Sequence, residues 1–340
     1  MSSAVIRVDP LGQRWQTHDP FLFCVHHVDL YPAGNDQLGP KAALGGRDIG
    51  QDFEGQDGWR MYHGDVVPGF PQHPHRGFET VTIVRRGYID HSDSLGATAR
   101  FGMGDVQWLT AGSGVVHSEM FPLLDAAGPN ELELFQIWLN LPARDKLVAP
   151  YFTMLWDQHI PRLERRDAEG RAATITVIAG ALDGLMPLPP PPNSWAAHPE
   201  ADLAIWSIAL AAGASWTVPP ARDASTVRTL HLFRGNALDV GGRVVPGPAA
   251  IQVHADQPTP IRAVDGPVEI LLLQGRPIGE PVAQYGPFVM NTRAELEQAF
   301  DDFRRTQFGG WPFPENAPVH PRTRGRFARH ADGRVEEAGA

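Results

Sequence analysis

The stretch His73–Gly87, HPHRGFETVTIVRRG, and its continuation Gly104–Met120, GDVQWLTAGSGVVHSEM, decide how this chain is read. His73 and His75 stand two apart, and so do His117 and Glu119. Side chains alternate across a β-strand with a period of two, so each pair points to one face. Two such pairs on neighbouring strands bring three imidazoles and one carboxylate together. That donor set suits one divalent transition metal and leaves positions open for a substrate or dioxygen. The Cys-rich spacing of structural zinc sites is absent. Glu79 lies four residues past His75, so a continued strand would put it on the same face. It reads as a fifth ligand or as an acceptor that orients an imidazole. His91 and Asp93 repeat the spacing of two and read as solvent-side or turn residues. His63 sits in a loop before the motif. His26 and His27 are adjacent, face opposite ways in a strand, and read as structural or exposed.

Working outward, FETVTIVRRG, GYIDHSDSLG, ATARFGMGD, VQWLTAGSG, VVHSEMF and ELELFQIWLNLP are short apolar runs punctuated by Gly and Pro. This pattern predicts an all-β sandwich or barrel. LAIWSIAL, SWTV, RTLHLFRG, AAIQVHA and VEILLLQG form a second such block. Aligning Gly235 on Gly87 and Gly247 on Gly104 puts Ala221, Asp223, Pro260 and Arg262 where the first block has His73, His75, His117 and Glu119. The second block therefore repeats the architecture without the ligands, and its His231 and His254 read as structural. Between the blocks, LPPPP (188–192) is a surface loop. Near the end, NTRAELEQAFDDFRR places Thr292 as an N-cap with Glu295 three residues later. Leu296, Ala299, Phe300 and Phe303 give one apolar stripe, and Gly309 and Gly310 stop the helix. The expected map is a metal-binding barrel over 20–145, a connector over 146–200, a barrel without ligands over 201–290, a helix and closing segment over 291–315, and a flexible Arg-rich tail over 316–340.

The 340 residues carry a net charge of -10, which argues against a surface for nucleic acid. The single cysteine, Cys24, forbids an intrachain disulfide and suits a reducing compartment. No apolar run approaches the roughly 20 residues of a membrane span. The start, MSSAVIRVDP, lacks the basic end and apolar core of a signal peptide, so the expected location is the cytoplasm.

HPHRGFETV, GDVQWLTAGSGVVHSEM, ELELFQIWLNLP, YGPFVMNT (285–292) and FGGWPF (308–313) together resemble the pirin family of bicupins, in order, over about residues 20–315. The resemblance implies two tandem cupin-type β-barrels. It implies a metal, most often iron, in the first barrel, held by His73, His75, His117 and Glu119, and it leaves Glu79 as a structural or outer residue. Manganese, nickel, cobalt, copper or zinc would fit the same donors. Some bacterial members resemble quercetin 2,3-dioxygenases, whereas eukaryotic ones look like redox-sensitive nuclear coregulators. Two functions follow. One is a metal-dependent dioxygenase acting on a flavonol or related enol, with Glu119 as ligand or proton acceptor and an aromatic wall from Phe78, Trp108, Phe135 or Trp138. The other is a redox- or metal-gated regulator that binds a protein partner without turnover. The proline-rich insertion, the Arg-rich tail and the long link between Pro40 and the HPH motif depart from the family pattern.

Overall fold

The computed structural model describes residues 3–339. The protein is mostly β, with 45% strand and 9% helical residues. Among the described residues there is one α-helix, Arg293–Thr306, near the C-terminus. The Thr292 side chain accepts from the Glu295 backbone N–H, and Glu295 accepts back from the Thr292 N–H, so the capping box forms. Leu296 and Ala299 are buried against Phe288 and Phe308, with Phe300 and Phe303 packed beside them. The helix ends at Gln307 in the left-handed conformation, just before Gly309 and Gly310.

Two compact units divide the chain, and both are discontinuous. One comprises Met1–Val25, Ile137–Asn140 and Gln158–Gly279. The other comprises His26–Gln136, Leu141–Asp157 and Glu280–Ala340, and it carries the HPH and HSE motifs.

In the motif-bearing unit, one sheet runs in the order Tyr151–Leu155, Val106–Thr110, Phe78–Arg86, followed by the parts of Asn130–Asn140 and Phe21–Tyr31 that belong to this unit. A second runs Val335–Glu337, Phe327–Arg329, Thr98–Gly102, Tyr88–Asp93, Val115–Met120, Gly69–His75. Val84, Leu109, Leu132, Leu134, Ala99, Phe101 and Val115 fill the core between them. Gly77 sits between the two strands of the HPH stretch at φ +82, with the Val289 carbonyl oxygen 2.0 Å from where a Cβ would be. Only glycine fits there, and the break sends His75 and Phe78 to different sheets.

In the other unit, a seven-stranded sheet runs Val5–Pro10, Ala249–Val253, Val227–Arg234, Val268–Gly275, Ala204–Leu210, Ala172–Ala179, Arg162–Arg166. It is accompanied by a four-stranded sheet in the order Ser215–Val218, Thr259–Val264, Ala237–Val240, Arg243–Pro246. Leu230, Leu232, Leu238, Ile251, Ile261 and Leu272 belong to its core. Residues 187–191 carry no regular structure, as the proline run predicts.

The segment 316–340, expected to be a flexible tail, is built into the motif-bearing unit over its described residues, 316–339. Phe327–Arg329 pairs antiparallel with Thr98–Gly102 and extends the sheet. Arg100 is fully buried and uses all five N–H donors. Two reach Asp90 at 2.6 and 2.7 Å, and three reach the carbonyls of His320, Pro321 and Arg324 at 2.8–2.9 Å. Arg322 donates to the carbonyls of Leu123, Leu124 and Asn35, and Arg326 reaches Asp105 at 2.8 Å. Arginine density suggested a solvated end because charge normally stays in water. Here the guanidiniums tie the segment down by bonding backbone carbonyls.

Candidate metal centre

Gly69–His75 pairs antiparallel with Val115–Met120, with His73 opposite His117. That register places the two imidazole-bearing strands side by side in one sheet. The ligand nitrogens of His73, His75 and His117 all lie within 4.8 Å of one another. Their ring centroids are 4.4–4.8 Å apart. Burial holds the His73 pKa down at about 4, partly offset by its bond to the Pro71 carbonyl. Burial also pushes His75 and His117 well below the ordinary range, with neighbouring imidazoles adding to it. All three rings are therefore neutral near pH 7, the form that donates a lone pair to a metal. His117 is fully buried, yet neither of its ring nitrogens has a hydrogen-bond partner. A buried imidazole in that state costs free energy unless something takes its lone pair. The donor set and this orphaned nitrogen fit a bound metal.

Glu119 lies beside the three-histidine cluster, with Oε2 3.9 Å from His117 Nε2. Because His117 is neutral, this contact is not an ion pair. The carboxylate is approached from the opposite sheet. Gln136 Nε2 donates to Oε2 at 3.3 Å, and Thr82 Oγ1 lies 3.4 Å from Oε1 while donating to Gln136 Oε1 at 2.7 Å. Burial raises the Glu119 pKa, against the opposing influence of His91 and these two hydrogen bonds.

Several sequence expectations change. Glu79 does not share the face of His75, because Gly77 breaks the strand. Thr82 faces Glu119, and Glu79 is an odd number of residues away, so it points to the other face. There it accepts a 2.6 Å bond from Thr110. His91 and Asp93, expected as solvent-side or turn residues, are both fully buried, and Asp93 does cap the turn at Leu95 and Ala97. His27, adjacent to His26, sits in a polar network. Its Nδ1 is 2.8 Å from the Tyr62 hydroxyl, which donates to Asp29 at 2.7 Å, and its pKa is lowered to about 3 by burial. His63 bonds the Gly50 carbonyl and meets Phe70, whose ring is 6.2 Å from that of His73. Of the expected aromatic wall, the Phe78 ring is 5.0 Å from the His75 ring. Trp108 and Phe135 each neighbour an inward residue, Gln107 or Gln136, and so point the other way. Trp138 packs on Phe23 at 4.5 Å.

The grip of Thr82 and Gln136 on Glu119 was missed in the sequence. A signal was present: Thr80 and Thr82 alternate with Val81 and Ile83, which marks a polar face on a strand that is otherwise buried.

The family model described as Pirin matches residues 10–139, and the one described as Pirin C-terminal cupin domain matches residues 205–309. A Pseudomonas aeruginosa protein named "Putative quercetin 2,3-dioxygenase" is 38% identical over 242 residues, 71% of this chain and 79% of its own. A pirin-like protein of Caulobacter vibrioides is 38% identical over 248 residues, 72% of this chain and 82% of its own. The crystal structure of quercetin 2,3-dioxygenase from Acinetobacter baumannii superposes with a TM-score of 0.69 at 24% identity, covering 91% of this chain and 96% of that one. At that identity the likeness speaks for the fold. No helix among the described residues is long and apolar enough to cross a membrane.

Proposed function

The chain belongs to the pirin family, and on that premise we propose that it is a metal-dependent dioxygenase acting on quercetin-like flavonols or related enols. His73, His75 and His117 would hold one divalent transition metal, iron(II) in the first instance, with Glu119 as the fourth ligand. The observation that carries this reading is His117, fully buried with both ring nitrogens unpartnered beside two further neutral imidazoles. The relative named for quercetin 2,3-dioxygenation supports the substrate class. The metal, when bound, supplies Lewis acidity toward an enolate oxygen and access to dioxygen chemistry.

The protein's own groups account for the rest. Glu119 would either stay a ligand or, as a carboxylate beside the open positions, take the proton of a substrate hydroxyl. Gln136 and Thr82 hold that carboxylate from across the barrel, which limits its rotation as the proton arrives. Phe78 and Phe70 flank His75 and His73 and offer apolar edges to a planar ring.

The test loads the purified chain in turn with iron(II), manganese, nickel and cobalt, then follows the flavonol absorbance and oxygen uptake together. Oxygen consumed in step with loss of quercetin is expected. A chain that binds metal and consumes neither, with every metal, overturns the dioxygenase reading for this substrate.

A further inference from the structure

The Tyr88–Asp93 strand lies next to Val115–Met120, with His91 opposite Glu119 and Asp93 opposite His117. Directly paired residues of an antiparallel ladder share a face. His91 and Asp93 therefore point where the metal-site donors point. Both are fully buried. The His91 ring centroid is 5.5 Å from that of His117. His91 Nε2 is 3.2 Å from Asp93 Oδ2. The other carboxylate oxygen of Asp93 accepts from the backbone N–H groups of Leu95 and Ala97 at 2.9 and 3.1 Å, so a tight turn fixes it in place.

The tautomers follow from these partners. The Asp93 carboxylate only accepts, so Nε2 of His91 carries a hydrogen, and in the neutral ring Nδ1 presents a lone pair. That Nδ1 is buried and has no partner. His117 Nε2 faces the Glu119 side at 3.9 Å. If Nε2 serves the metal, Nδ1 of His117 carries a hydrogen, and it too is buried without a partner. One unpaired donor and one unpaired acceptor thus sit on neighbouring rings. The two nitrogens do not bond each other in the observed ring orientations, but with the ring centroids 5.5 Å apart a rotation of either ring can bring them within hydrogen-bond distance.

We propose that His91, anchored by Asp93, is a positioning residue that accepts the hydrogen bond of the non-ligating nitrogen of His117 and so fixes its tautomer and ring orientation. This rests on the metal-site reading above. The other unit supports it by contrast. In its four-stranded sheet the corresponding inward pairs are Leu238 with Ala263 and Val240 with Ile261, all core residues. The polar pair beside the ligands is absent where the ligands are absent.

The test titrates zinc(II) into the full-length chain and records affinity alongside the thermal stability of the metal-free protein. Outer partners of ligating histidines are typically worth 10–100-fold in metal affinity. His91→Phe is expected to weaken zinc binding by that factor, and His91→Asn, which restores an acceptor, to recover part of it. Asp93→Asn is the sharper variant. Its Oδ1 keeps the Leu95 and Ala97 bonds while its Nδ2 donates to His91 and reverses that tautomer. It should weaken zinc binding at nearly unchanged metal-free stability, and long-range ¹H–¹⁵N spectra should show the His91 hydrogen moved to Nδ1. Wild-type affinity in both His91→Phe and Asp93→Asn overturns the inference alone. If His91→Phe fails to fold, Asp93→Asn decides. Failure of the wild-type chain to bind zinc overturns the metal site and this inference together.

Discussion

Two four-strand runs invite comparison: Gly69–His75, Val115–Met120, Tyr88–Asp93, Thr98–Gly102 in one unit, and Ser215–Val218, Thr259–Val264, Ala237–Val240, Arg243–Pro246 in the other. Their order is the same. At inward positions the first run carries His117, Glu119, His91 and Asp93, and the second carries Ile261, Ala263, Leu238 and Val240. One backbone plan thus serves as a polar site or as a plain core, depending on a handful of inward side chains. A second difference lies at the edge. Phe327–Arg329 extends the first run beyond Thr98–Gly102, whereas the second run ends at Arg243–Pro246.

The edge difference should give the largest effect. Deleting residues 316–340 uncovers the Thr98–Gly102 edge and removes three acceptors from buried Arg100. A loss of about 4 kcal/mol is expected, from three hydrogen bonds made by a charged group and the burial of Phe327 and Ala328, while Arg100 keeps its pairing with Asp90. Urea unfolding at constant slope checks it, and a change below roughly 1 kcal/mol would make the added strands incidental. Next comes an attempt to move a ligand across. Ile261→His buries an imidazole among aliphatic side chains and should cost about 3 kcal/mol without gaining metal, because no second donor faces it. Metal uptake by that variant would break the comparison. Removing a ligand from the real site comes third. His75→Ala should weaken metal binding more than about 100-fold, since a ligand outweighs its outer partner. Full metal by elemental analysis at micromolar protein would remove His75 from the site.

The smallest effect compares two buried imidazoles. His73, at the cluster, and His231, in the other unit, both have pKa values lowered to about 4 by burial. Above pH 6.5 neither the folded nor the unfolded chain protonates them, so they leave stability unchanged. Between 6.5 and about 4 the unfolded chain takes up protons that the fold refuses, so stability falls as pH falls. His231→Gln should flatten that slope by up to about 1.4 kcal/mol per pH unit, with or without zinc. For His73 bound zinc should leave the slope unchanged and carry it on below pH 4, because a ligated nitrogen cannot be protonated. Equal behaviour of the two histidines would argue that zinc does not reach His73.

The glycine alignment that predicted an empty second site reached the right strand but the wrong face for one pair, and for the other it overshot: Ala221 and Asp223 lie beyond the strand Ser215–Val218. It put Pro260 and Arg262 at the ligand places, yet both are exposed, and the inward residues are Ile261 and Ala263. A one-residue slip inverts a strand, and glycine spacing alone does not set register. Glu79 went astray for a related reason: the spacing of four assumed one strand, and Gly77 makes it two.

By itself the sequence determined the strand periodicity, the helix with its cap, and the pairing of His73 with His75 and of His117 with Glu119. Each of these is a matter of neighbours a few residues apart, where dihedral periodicity and local hydrogen bonds decide. Tertiary structure alone decided that His91 and Asp93 turn inward beside His117, that Thr82 and Gln136 reach Glu119, and that an arginine-rich end is held by Arg100. Those depend on which strands become neighbours and in what register, and that is set by packing between residues far apart in the chain.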